Sequence, residues 1–137
     1  MIRNDFNFLL FSLTRQIRSL VKQKTKTSPL TFEQIRALSY ISRFEGLSQK
    51  ELAELLESKT MATSKLIDAL ESISMVKRER DQVDRRAFKL YLTEKGTNGM
   101  KAILQLSEEV YQQITNGIDE QEINAFQHTI EKIQKNL

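Results

Sequence analysis

The chain has 137 residues, enough for one domain with a modest core. Its 39% hydrophobic and 28% charged residues exclude a disordered or membrane-embedded chain. Four glycines and one proline favour long helices, and the absence of cysteine excludes disulfides, thiolate metal sites and thiol redox switches. The formal charge of +3 is unevenly spread. Residues 1–26 carry six Lys/Arg against one Asp, and residues 59–95 carry nine against six acids. Residues 96–137 reverse the sign, with three Lys against six acids. Two basic segments suit a polyanionic partner.

From the N-terminus, Phe6, Leu9, Leu13, Ile17 and Leu20 recur at helical spacing and predict a helix over about 4–24. The apolar run Phe6–Leu13 is interrupted by Asn7 and Ser12 and is followed by two arginines with no small-residue cleavage site. It reads neither as a signal peptide nor as a span, so the expected location is cytoplasmic with no membrane contact. Thr31-Phe-Glu-Gln34 has the form of a capping box, and Leu30 and Ile35 stand where a hydrophobic staple joins chain and helix. The device recurs at Ser48-Gln-Lys-Glu51 with Leu47 and Leu52, and at Asp119-Glu-Gln-Glu122 with Ile118 and Ile123. Helices are therefore expected to begin near 32, 49 and 120.

The helix from 49 is short, ending near 56, with Leu52, Leu55 and Leu56 expected on its buried side. After Glu57-Ser-Lys a second helix is predicted over about 60–72, with Thr63, Leu66, Ile67 and Leu70 inward. Two short helices joined by a tight turn form a candidate helix-turn-helix. The period then changes. Val76–Arg80 leads into the turn-prone Asp81–Asp84, after which Phe88, Leu90 and Leu92 alternate with Ala87, Lys89 and Tyr91 as a half-buried strand does. A helix pair followed by a hairpin with an arginine-bearing tip is a winged helix. After Thr93 the stripe Met100, Ile103, Leu104, Ser107, Val110 and Ile114 predicts another helix. Ile123, Phe126, Ile130, Ile133 and Leu137 then follow the spacing of a coiled-coil seam. The long terminal helices need cover for their apolar faces, and packing across a two-fold axis supplies it, so a homodimer is expected.

A helix that reads the major groove needs small polar and basic side chains at its exposed N-terminal end. Lys59, Thr60, Met61, Ser64 and Lys65 fill that face here. Lys59 and Lys65 suit phosphates, Thr60 and Ser64 suit bases or phosphates, and Met61 suits a thymine methyl. In the hairpin, Asp84-Arg85-Arg86 offers arginines to the narrow minor groove, with Asp84 accepting from a nearby Arg to hold the loop. Nothing points to catalysis: the one histidine, His128, stands on the outer side of the last helix. There is no phosphate loop, nucleophile elbow, catalytic residue, cofactor signature or metal-ligand set.

Leu47-Ser-Gln-Lys-Glu-Leu-Ala-Glu-Leu55, Leu66-Ile-Asp-Ala-Leu-Glu71 and Asp84-Arg-Arg-Ala-Phe-Lys-Leu-Tyr-Leu-Thr-Glu-Lys-Gly96 together resemble the multiple-antibiotic-resistance regulator (MarR) family. Leu30-Thr-Phe-Glu-Gln34 with Leu38 resembles that family's preceding helix. The resemblance implies one mainly α domain with a small β-hairpin wing. Residues 30–95 would form the DNA-binding lobe, and 1–29 and 96–137 the dimerisation helices. It implies a sequence-specific regulator of double-stranded DNA, a dimeric repressor of a pseudo-palindromic operator, with Asp84 and Arg86 in the wing's structural and minor-groove roles. Many members of that family bind small aromatic or phenolic molecules between the dimer helices and the DNA-binding lobe. Phe11, Phe32, Tyr40 and Phe44 could contribute to such a cavity, but aromatics at helical spacing read first as core, so no effector residues are assigned. The alternative is a winged-helix protein-interaction module without sequence-specific DNA binding.

The chain departs from the family pattern at three places. Glu57-Ser58 replaces a Gly and an apolar residue in the turn, and Ser74 replaces a second Gly. A non-glycine residue is disfavoured at positive φ, so both turns are expected to be altered. Lys59-Thr-Met-Ala62 stands where the family often has Ser-Arg-Pro-Thr, which implies a different base preference.

Overall fold

The computed structural model describes residues 3–137, with side chains from Asp5 onward. Met1 and Ile2, which open the expected N-terminal dimerisation segment, and the Arg3 side chain, counted among its basic residues, lie outside the described residues. Six helices and one hairpin follow in the order α1 (Arg3–Lys24), α2 (Phe32–Arg43), α3 (Gln49–Leu55), α4 (Thr60–Ser72), β1 (Val76–Arg80), β2 (Phe88–Leu92), α5 (Glu94–Ile114) and α6 (Glu120–Lys135).

The helix starts fall where their caps require. Thr31 Oγ1 accepts from Gln34 N while Thr31 N donates to Gln34 Oε1, and Ser48 and Glu51 exchange the same two bonds. At Asp119 only the forward bond forms, with Oδ1 accepting from Glu122 N at 2.9 Å. The return bond would bring the Glu122 carboxylate against that of Asp119, two like charges. Thr93 caps α5 by accepting from Gly96 N at 3.0 Å.

The core joins α2, α3, α4 and the hairpin: Leu38, Ile41, Leu52, Ile67, Leu70 and Leu90 are fully buried. Leu47 and Leu52, the second staple pair, both belong to it. Thr63 is fully buried as well, and its hydroxyl finds no partner among the described residues. On α3 the buried arc runs from Leu52 through Leu56 to Ala53, which leaves Leu55 on the far flank, 38% exposed rather than buried as expected.

β1 and β2 pair antiparallel with Val76 opposite Leu92 and Arg80 opposite Phe88. The ribbon is fastened at its base by the α2–α3 connection. Gly46 N donates to Leu90 O, Leu90 N donates to Leu47 O, both at 2.9 Å, and Ser48 forms a bridge with Lys89. At the far side Thr93 N donates to Met75 O, and a Cβ added to Gly96 would stand 2.0 Å from that same carbonyl oxygen. The close approach explains why glycine occupies the third position of α5.

α5 buries Met100 and Val110 while Leu104 stays 63% exposed. α6 buries no residue, and its Phe126 and Ile130 are 50% and 37% exposed. Phe6, Phe8, Leu9 and Phe11 of α1 are exposed too. Among the described residues no helix is long and apolar enough to cross a membrane.

Candidate nucleic-acid interface

The turn between α3 and α4, for which a slight alteration is expected, holds a left-handed residue without glycine. Glu57 sits at φ 51°, with its N–H donating to Glu54 O and the Ser58 N–H to Ala53 O, the paired bonds of a Schellman motif. Ser74 sits at φ 62° after α4, with its N–H donating to Glu71 O and the Met75 N–H to Leu70 O. The expectation of altered turns is corrected in both places. The buried leucines at the two helix ends and the following contacts fix the chain direction, so the non-glycine residues bear the strain.

α4 follows directly from this turn, and its exposed face is basic and neutral at the N-terminal end. Lys59, Thr60, Met61 and Lys65 are exposed, with Met61 at 72%. No acidic residue lies in the first turn, and Lys59, the N-cap, makes no side-chain capping bond. The first N–H groups of α4 thus keep their partial positive charge, which suits a phosphate. Ser64 is different: it is half-buried, and both its carbonyl and its hydroxyl accept from Arg78 Nη2, at 3.0 and 3.4 Å.

In the wing, Arg85 is exposed and the Arg86 side chain is 94% exposed. Asp84 Oδ1 accepts from Arg86 N at 3.1 Å and from Arg86 Nε at 3.4 Å. The tip is organised chiefly by Asp81, which sequence reasoning passed over as one residue of a charged turn. Its Oδ1 accepts from Val83 N at 2.8 Å and Asp84 N at 3.3 Å, and Oδ2 lies 3.9 Å from Lys89 Nζ. The Val83 N–H, then the Asp84 N–H, hold the Asp81 carboxyl below its ordinary range, and Lys89 adds a smaller pull. Val83 itself is 97% exposed.

Arg78 was also missed. Its side chain is 14% exposed, and the guanidinium bonds Gln49, Asp68, Glu71 and Ser64. The signal was present: strand alternation from the buried Val76 turns Arg78 inward, where an arginine needs partners.

Phe11, Phe32, Tyr40 and Phe44 do not share a cavity. Phe32 and Tyr40 line a cleft of about 390 Å³ between α1, α2 and α5. Phe11 is 77% exposed on the outer side of α1, and Phe44 lies beyond the end of α2 in a groove with Leu47 and Leu55. A larger cleft of about 560 Å³ is lined by Leu30, Ile35, Met75 and Ile103, with Lys24 and Lys95 also on its wall. Among the described residues no three His, Cys, Asp or Glu side chains gather as metal ligands.

A helix pair, a fastened antiparallel ribbon and a capped helix behind it define a winged helix-turn-helix protein. The MarR family model matches residues 30–88. The HTH-type transcriptional regulator SarR of Staphylococcus aureus is 30% identical over 108 residues, spanning 77% of this chain and 93% of that protein. The chain belongs to the MarR family. Its fold is shared by the MarR transcriptional regulator from Methanosarcina mazei Go1, at 22% identity and a TM-score of 0.84 over 98% of this chain and 96% of that one. It is shared also by MepR of S. aureus in its DNA complex, at 23% identity and a TM-score of 0.74 over 96% and 98%.

Proposed function

We propose that this protein is a cytoplasmic, dimeric transcription regulator that binds double-stranded DNA sequence-specifically and represses from a pseudo-palindromic operator. The observation that carries the reading is the exposed, acid-free first turn of α4 in a chain of this family, flanked by Lys59 and Lys65. MepR, of the same fold, is solved with DNA. Thr60 and Met61 contact base edges, Ser64 adds what its Arg78 contacts leave free, and Lys59 and Lys65 contact phosphates. Arg85 and Arg86 reach the flanking minor groove while Asp84 and Asp81 stiffen the tip.

Residues 30–95 form the DNA-binding lobe in this reading, and 1–29 with 96–137 the dimer. The exposed apolar residues of α1 and α6 support that division, because Phe6, Leu9, Phe126 and Ile130 stay exposed among the described residues of one chain. A two-fold dimer sets the recognition helices about one helical turn apart, roughly 34 Å. The 560 Å³ cleft supports a second element, an effector site. An apolar wall with Lys24 and Lys95 suits a small aromatic acid, which would act by favouring a dimer geometry whose spacing no longer fits DNA.

The test is retention of genomic fragments on the purified protein followed by sequencing. Enrichment of a pseudo-palindrome is the expected result. Even retention of all fragments, or none, would favour the protein-interaction module instead.

A further inference from the structure

We infer that Arg78 is a positioning residue that fixes the wing tip relative to the recognition helix, so that the two read DNA as one unit. The inference rests on the DNA-binding reading and deepens it. Every nitrogen of the Arg78 guanidinium is engaged. Nε donates to Gln49 Oε1, in the first turn of α3, at 3.0 Å. Nη1 donates to Asp68 Oδ1 at 2.7 Å and to Glu71 Oε1, and Nη2 donates to Ser64 O at 3.0 Å and Ser64 Oγ at 3.4 Å. One strand residue thus grips both helices of the helix-turn-helix. A planar fork with donors in fixed directions does this, and a lysine ammonium does not. With its side chain 14% exposed and both carboxylates bound, Arg78 has no donor left for a phosphate.

The connection continues to the tip. The Phe88 ring lies 5.9 Å from the Arg78 guanidinium and 5.2 Å from that of Arg80. Arg80 Nη1 then donates to the Arg85 carbonyl at 2.7 Å. A continuous ladder therefore runs from α4 through Arg78, Phe88 and Arg80 to the backbone that carries Arg85 and Arg86. Asp68 and Glu71 gain a role from the same contact. They are acids on a helix that approaches a polyanion, and Arg78 offsets one of their two charges.

A double-mutant cycle between Arg78 and Arg86 tests this, using anisotropy with the duplex enriched from the fragment pool. In the wild type, Arg86→Ala weakens binding about tenfold. In the Arg78→Gln background the same change costs less than about twofold, because the tip is no longer aimed. A role confined to stability leaves the Arg86 effect at full size in both backgrounds, and that result would overturn the inference. If Arg78→Gln does not fold, Arg78→Lys, which keeps the charge and loses the fork, takes its place with the same criterion. Amide exchange without DNA separates this failure from failure of the parent reading. Faster exchange at the β1–β2 amides in the Arg78 variant supports the ladder even if the wild type binds no duplex, and unchanged exchange there refutes it.

Discussion

Glu57 and Ser74 hold the same left-handed position at the ends of consecutive helices, at φ 51° and φ 62°, each closing a Schellman motif that favours glycine. A side chain in this region costs about 1–2 kcal/mol, partly offset by the greater unfolded-state freedom of glycine. Glu57→Gly and Ser74→Gly are each expected to stabilise the protein by about 0.5–1 kcal/mol. Urea unfolding at one fixed protein concentration measures this, and a loss of stability in both would mean that the strain is absent.

Gly96 is the opposite case. An added Cβ would meet the Met75 carbonyl oxygen at 2.0 Å, and that carbonyl already receives the Thr93 N–H. Backbone cannot swing aside as a side chain can. Gly96→Ala is expected to cost at least about 2 kcal/mol and to loosen the junction of α4, wing and α5, read as a lower unfolding midpoint.

Thr63 carries a fully buried hydroxyl on the inward face of α4 with no partner among the described residues. Valine matches its shape and removes the unmet polar group. Thr63→Val is expected to raise stability by about 1 kcal/mol with DNA affinity unchanged, since position 63 faces away from the exposed side. Reduced stability on the same unfolding curve would count against that assignment.

Asp81 gives the wing a defined acid response. Its carboxyl is held below the ordinary value of 3.8 by the Val83 and Asp84 N–H groups and, less strongly, by Lys89. A carboxylate with a depressed folded pKa contributes stability that is present above the unfolded pKa and lost as pH falls through the folded value. Between pH 7 and pH 5 the tip is therefore expected to stay intact. The nitrogen shift of Val83 should move only below the usual carboxylate range, and Asp81→Asn should abolish that movement. A titration of this signal above pH 5 would count against the role of Asp81.

The elements were legible because their signals are local. Thr31 and Ser48 meet their partners three residues on, and the alternation around Leu90 shows a strand without knowledge of its neighbour. What failed to show depends on how elements meet. Arg78 reads in sequence as one charge in a basic run, because its partners Gln49 and Asp68 are 29 and 10 residues away. The flank on which Leu55 falls depends on how α3 rolls against the core, and α3 has only seven residues to specify it. The separation of Phe11 and Phe44 from Phe32 and Tyr40 likewise follows from helix placement, which spacing along the chain does not encode. At Glu57 and Ser74 the local rule pointed to changed turns. The packing of the buried leucines around them prevailed over residue preference.

Competition at near-physiological salt tests whether the dimer binds duplex DNA sequence-specifically. A labelled duplex enriched from the genomic pool is titrated with the wild-type protein, in the presence of excess random-sequence duplex. Tight binding is expected to survive the competitor and to weaken steeply as salt rises, because Lys59, Lys65 and the wing arginines contact phosphates. Binding abolished by the competitor would contradict sequence-specific recognition.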